Sequence, residues 1–173
     1  LAVSGGAKRV LATARQRGED VDAEGIHATK SEIFQNLLKS SRLAPRAGVT
    51  KVMTYARNGG YKIGFVTSTE AATVRIILKM MDRDHGQSFD TITSRHLGLC
   101  DKPDPAVYKF ALDELGLNPE AAVAIEDNSD GIRAAQEAHL RTIVFPGEYA
   151  LNTSVVESDA QVGHDLYAIV QKM

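Results

Sequence analysis

The chain has no tryptophan, one cysteine, five prolines, and aromatic residues at only 6% of its 173 positions. Each shortage excludes something. A single thiol, Cys100, rules out an internal disulfide and a cysteine-based zinc site, and it suits a reducing compartment. Excess charge is missing as well: 20 basic residues against 22 acidic ones leave a net charge of -2, with no general attraction to nucleic acid or to an anionic membrane. No apolar run reaches transmembrane length and no signal peptide is visible, so a cytoplasmic location is expected. The first residue is Leu rather than Met, as expected of a chain that begins inside a longer product. The 43% hydrophobic content is enough for a real core.

What is present divides near residues 42–48. Before that point the pattern is helical only. Lys8 to Arg17 and Glu24 to Lys39 carry apolar residues at helical spacing, among them Val10, Leu11, Ala14, Ile26, Ile33 and Phe34. After Pro45 and Gly48, strands alternate with helices. Strands are expected near 61–66, 89–93, 121–125 and 141–145, and helices over 49–57, 71–81, 106–115, the segment after Gly131, and His164 to Lys172. This alternation predicts a mostly parallel sheet covered on both faces.

The most informative stretch is Val123-Ala-Ile-Glu-Asp-Asn-Ser-Asp-Gly131. An apolar run stops at two adjacent carboxylates, Glu126 and Asp127, and a turn and a helix follow. In open α/β sheets, ligands bind at such strand ends. Oxygen ligands there suit Mg²⁺, which is held by one or two carboxylates plus water and phosphate. Capping of the next helix by Asp127 or Ser129 accounts for the same residues equally well. The run Tyr61-Lys-Ile-Gly-Phe-Val66 ends in the same way, at Thr67-Ser68-Thr69, where hydroxyl and backbone N–H groups can hold a phosphate oxygen. Here the ordinary alternative is Thr69 as an N-cap. Between the two lies Asp101-Lys102-Pro103-Asp104-Pro105, whose prolines fix the backbone after Lys102. Taken singly this is an ordinary loop lysine. Together, the three segments supply hydroxyl donors, a fixed cation and carboxylates, which phosphoryl transfer needs.

At these residues, over about Arg46 to Tyr149, the chain resembles the haloacid dehalogenase-like (HAD) superfamily. Ile63-Gly-Phe-Val-Thr67 is similar to its second motif. Lys102-Pro-Asp-Pro105, with Tyr108 following, is similar to the third, and Glu126-Asp127, with Gly131 after it, to the fourth. The resemblance implies an α/β fold: a Rossmann-like, mostly parallel HAD core over 45–173, with a partial N-terminal helical cap over 1–44. It implies Thr67 and Lys102 as catalytic residues, Asp127 and Glu126 as Mg²⁺ ligands, and Ser68, Asn128 and Arg9 as substrate contacts. The helical segment looks like the cap of the branch holding β-phosphoglucomutases, phosphoglycolate phosphatases and CbbY-like phosphatases. Val3-Ser-Gly-Gly-Ala-Lys-Arg9 is similar to the Ser-Gly-Gly-Lys-Glu-Arg of the last group, but carries Ala7 at its lysine. The implied partner is a small phosphorylated metabolite, a sugar phosphate by the same resemblance.

One element of the family pattern has no match. Its first motif, Asp-x-Asp-Gly after an N-terminal strand, carries the nucleophile, and the resemblance places that strand between those of the second and fourth motifs. Asp20-Val-Asp22 and Asp82-Arg-Asp84 are the two Asp-x-Asp pairs here, and neither follows an expected strand. Two functions are therefore expected: a Mg²⁺-dependent phosphatase or phosphomutase, or a truncated, inactive domain that binds a phosphorylated ligand or a protein. Unpaired strand edges beside the missing strand would favour self-association. Asp20 to Ser31 begins like a calcium loop but lacks a twelfth-position Glu, so helix capping is the better account. The five histidines show no metal spacing. His139 stands where a left-handed helix C-cap is expected.

Overall fold

The computed structural model describes residues 6–40, 44–147 and 165–171. The chain forms two compact units, Leu1–Leu43 and Ala44–Met173. The first holds helices α1 (Gly6–Arg17) and α2 (Ala23–Ser40). Gly18, at φ 69°, ends α1, and the Asp22 carboxylate accepts the Gly25 amide at 2.9 Å as α2 begins. Asp22 therefore acts as a helix cap. The Val3-Ser-Gly5 part of the N-terminal motif lies outside the described residues.

The second unit runs α3 (Val49–Asn58), β1 (Gly64–Phe65), α4 (Ala71–His85), β2 (Thr91–Ile92), α5 (Ala106–Leu115), β3 (Val123–Glu126), α6 (Ser129–Glu137), β4 (Arg141–Val144) and α7 (Leu166–Val170). Both strand pairings are parallel, as the alternation predicts, but the four strands do not join in one sheet. β1 pairs with β2, β3 pairs with β4, and no ladder links β1 to β3. The expectation of a continuous sheet is corrected here. Among the described residues no strand lies between the two pairs, and β1 and β3 do not pair directly either. Ile92, Val123 and Ile125 remain exposed on these short strands. β1 is also shorter than the apolar run that announced it. The Ile63 amide bonds the Asp90 carboxylate at 2.6 Å rather than a neighbouring backbone.

Helix ends follow local chemistry. α5 begins after Pro105, with the Asp104 carboxylate accepting the Ala106 amide at 2.9 Å, and stops at Gly116 in the left-handed region (φ 63°). His139, at φ 61°, is the one non-glycine with positive φ among the described residues, and it closes α6 as expected. α4 has Glu70 rather than Thr69 at its N-cap, with no side-chain cap bond. The described part of the final helix begins at Leu166, capped by Asp165; His164 and Lys172 lie outside the described residues.

The main core lies between α5, α6 and β3. Val107, Tyr108 and Leu112 pack with Ala124, Ala134, Ala135, Ala138 and Leu140. Burying a side chain such as Leu112 or Val107 contributes about 1.5–3 kcal/mol. A second cluster of Ile143, Phe145, Leu166 and Ile169 ties β4 to α7. Arg46 fastens the chain entry to that edge, with its guanidinium donating to the Phe145 and Pro146 carbonyls at 2.7 and 2.8 Å. Among the described residues no helix is long and apolar enough to cross a membrane.

Candidate phosphoryl-binding site at two strand ends

Lys102 connects the two sheets. Its ammonium donates to the Val66 carbonyl, at the end of β1, at 3.0 Å, and to Glu126 Oε1, at the end of β3, at 2.5 Å. The lysine side chain is 13% exposed and that of Glu126 is 8%, so the ion pair is largely out of water. The Lys102–Pro103 peptide is cis. The lysine also lies over the Tyr108 ring, 4.8 Å from its centroid.

Tyr108 reaches the site from inside α5. Its hydroxyl donates to the same Glu126 oxygen. Burial, followed by the Glu126 charge and the hydrogen bond to it, raises the Tyr108 pKa, so the phenol keeps its proton and acts as a donor. Gly131 completes the pocket around Glu126. A Cβ at that position would collide with the carboxylate, so a side chain on the first turn of α6 would displace it. Glu126 is thus surrounded by a cation, a phenol and a glycine. Charged groups this deep are tolerated only when paired and hydrogen-bonded.

The other members stand around that pair. Asp127 is exposed, one residue beyond the end of β3, with its Oδ1 accepting from the Asn128 side-chain amide at 2.6 Å. Asn128, and not Asp127 or Ser129, caps α6, accepting the Gly131 amide at 3.0 Å. At the end of β1, the Thr67 hydroxyl accepts the Thr69 amide at 3.1 Å. The proton of Thr67 Oγ1 and the amide of Ser68 find no acceptor among the described residues. Thr67 and Ser68 are half-buried. Arg9 is an exposed residue of α1 in the first unit.

Outside this set, Arg95 braces two of the loops. Its backbone N–H donates to the Thr69 carbonyl at 3.0 Å, and its guanidinium reaches Glu70 at 3.0 Å and Asp101 at 3.1 Å. Motif reading missed Arg95, and it missed any role for the Tyr108 hydroxyl. Nothing in their spacing marks them, and only the fold brings them to the strand ends.

Residues 8–145 match the profile of the haloacid dehalogenase-like hydrolases. The chain belongs to this family. Among curated proteins it is 32% identical over 163 residues to protein CbbY of Cereibacter sphaeroides, an alignment covering 92% of this chain and 71% of that one. The crystal structure of CbbY from Rhodobacter sphaeroides in complex with phosphate superposes with a TM-score of 0.80 at 29% identity, covering 96% of this chain and 76% of the other. A mutant of that protein in complex with xylulose-(1,5)bisphosphate gives a TM-score of 0.79 at 30% identity, covering 95% and 74%. As a haloacid dehalogenase-like hydrolase homologous to CbbY, the chain has the α/β core that its strand–helix alternation predicted.

Within that family core, the described residues hold no group of three or more His, Cys, Asp or Glu side chains able to hold a metal. Asp127 stays exposed beside the Lys102–Glu126 pair, whereas the Oε1 of Glu126 is committed to Lys102 and Tyr108. Neither Asp-x-Asp pair follows a strand: Asp82 and Asp84 lie in the last turns of α4, and Asp20 and Asp22 lie between α1 and α2.

Proposed function

We propose that this chain is the phosphoryl-binding part of a HAD-type phosphatase or phosphomutase acting on a small phosphorylated metabolite, a sugar phosphate by homology. The observation that carries the reading is Lys102, held between the ends of β1 and β3 with donors on one side and Asp127 on the other. In this reading the Thr67 hydroxyl and the Ser68 amide donate to phosphoryl oxygens. Two of the lysine's three protons are committed. The third has the Tyr108 hydroxyl at 3.5 Å, a marginal hydrogen bond, and can turn to a phosphoryl oxygen. Asp127 would hold Mg²⁺, with water and the substrate phosphate completing its oxygen shell, as this hard cation prefers. When bound, the ion supplies charge neutralisation at the phosphoryl group. Asn128 is assigned to the substrate. A cytoplasmic setting suits the exposed Cys100 thiol.

A second reading is favoured by the absence, among the described residues, of an Asp-x-Asp pair at a strand end. In it the chain binds a phosphorylated ligand without turning it over. The two readings separate in one experiment, which follows phosphate release from a panel of sugar mono- and bisphosphates with Mg²⁺ alongside binding of the same compounds. Turnover that Lys102→Met abolishes supports the enzyme. Binding without turnover supports the second reading, and neither binding nor turnover would sink both.

A further inference from the structure

Thr93 is the most deeply placed polar side chain near the site, with no exposed surface, and no motif reading singled it out. The β1–β2 ladder ends at the Phe65–Ile92 pair, followed by one more bond from the Thr93 amide to the Phe65 carbonyl at 2.9 Å. Beyond that point a side chain takes over from the backbone. The Thr93 hydroxyl accepts the Thr67 amide at 2.7 Å and donates to the Thr67 carbonyl at 2.7 Å. The peptide joining Val66 to Thr67 is therefore gripped from both ends, its carbonyl by the Lys102 ammonium at 3.0 Å and its N–H by Thr93.

The Thr67 N–H is used by Thr93 and the Thr69 N–H by the Thr67 hydroxyl. Besides the Ser68 and Thr69 hydroxyls, which rotate freely, the donors left in this turn are the O–H of Thr67, whose oxygen is fixed by the Thr69 amide, and the Ser68 N–H. Their directions depend on the Thr67 backbone, because a buried amide that loses its only acceptor drives the chain to find another.

We propose that Thr93 is a positioning residue, whose buried hydroxyl locks the Thr67 peptide so that the Thr67 hydroxyl and the Ser68 amide together face a phosphoryl oxygen. The assignment of a phosphoryl group rests on the function proposed above, whereas the clamp itself can be tested without it. Thr93→Val keeps the shape and removes the hydroxyl, and Thr93→Ser keeps the hydroxyl and removes only a methyl. Amide hydrogen exchange on the full chain reads the clamp, and a titration with inorganic phosphate followed at the Ser68 amide reads its effect on the ligand.

In the wild type the Thr67 amide should be protected and the Ser68 amide should not. Thr93→Val should speed Thr67 exchange and weaken phosphate by about tenfold, the scale of one buried amide left without its partner, and Thr93→Ser should recover most of both. A folded Thr93→Val variant with wild-type Thr67 protection and phosphate affinity overturns the proposal. Should Thr93→Val not fold, the wild type decides: a Thr67 amide exchanging as fast as that of Ser68 overturns the clamp, and a protected one supports it. A wild type in which phosphate leaves Ser68 unmoved removes the phosphoryl reading alone, and the clamp then stands or falls on exchange.

Discussion

The two sheets solve the same problem with different forces. In the β3–β4 half, four residue pairs are in register, and α5 and α6 cover one face with Val107, Leu112, Ala134 and Ala135 almost sealed from water. In the β1–β2 half, only two residue pairs meet. There, side chains bonded to backbone carry the connection: Asp90 to the Ile63 amide at one end, and Thr93 to Thr67 at the other. Arg57 adds to the first, reaching Asp90 at 2.7 Å and the Ser88 carbonyl at 2.8 Å. Apolar burial is non-directional and tolerant, whereas a few polar clamps are directional and easily lost. The half that carries Thr67 and Ser68 is the one held by clamps. It should open first, since few buried contacts and exposed backbone bonds mark the low-stability end of a structure.

The contrast is broken most severely at Lys102, which bonds the ends of both β1 and β3. Lys102→Met leaves the Glu126 carboxylate buried without its cation, and denaturant unfolding should show a loss of about 3 kcal/mol. Wild-type stability in this variant would mean that Glu126 escapes to water or becomes protonated. Next in size, Val107→Ala should cost about 2 kcal/mol through lost burial and a residual cavity. Exchange protection in β3–β4 should fall with it, while the Thr67 amide, already limited by local opening, changes little.

Asp90→Asn should cost less, below about 1 kcal/mol, because Asp90 and Arg57 are each a third exposed and water screens the pair. Its signature is the pH dependence. The Ile63 amide first, and then Arg57, hold the Asp90 carboxyl below its ordinary value of 3.8. The ionised form is therefore the one that stabilises the fold. Its contribution is present above the unfolded-state value and disappears as pH falls through the lower folded-state value. The gap between wild type and variant should close in acid, and a gap that widens there would contradict the assignment. The smallest signal is expected from the metal. Calorimetric titration with Mg²⁺ should show little heat for the wild type and for Asp127→Ala, since the described residues hold no group of three or more side chains able to bind a metal. Tight binding lost in the variant would show that other groups complete the site.

How much of this was readable in the chain follows the same division. α5 was legible end to end, because Pro105 before it and Gly116 after it are covalent facts about backbone freedom. The left-handed turn at His139 was legible for a similar reason. β3 was found within a residue or two, since its apolar run is its own signal. β1 was overestimated: an apolar run marks burial, but a ladder needs a partner, and that partner is not specified locally. The helix caps weighed as alternatives lie one residue away from those formed: Asn128 rather than Asp127 or Ser129 caps α6, because its side chain reaches the Gly131 amide, and Glu70 rather than Thr69 precedes α4 without a side-chain cap bond. Around the site, Thr67, Lys102 and Glu126 were visible as strand-end chemistry. Thr93, Arg95 and the Tyr108 hydroxyl were not, since their value lies in partners far along the chain.

The proposed site requires the ends of β1 and β3 to serve a single anion. A titration of the labelled chain with inorganic phosphate in the presence of Mg²⁺, followed at every backbone amide, tests it directly. Amides at Ser68, Lys102 and Asp127 should shift together along one binding curve, and Lys102→Met should abolish the shifts on both sides at once. Shifts confined to one strand end, or two curves with different midpoints, would contradict the claim.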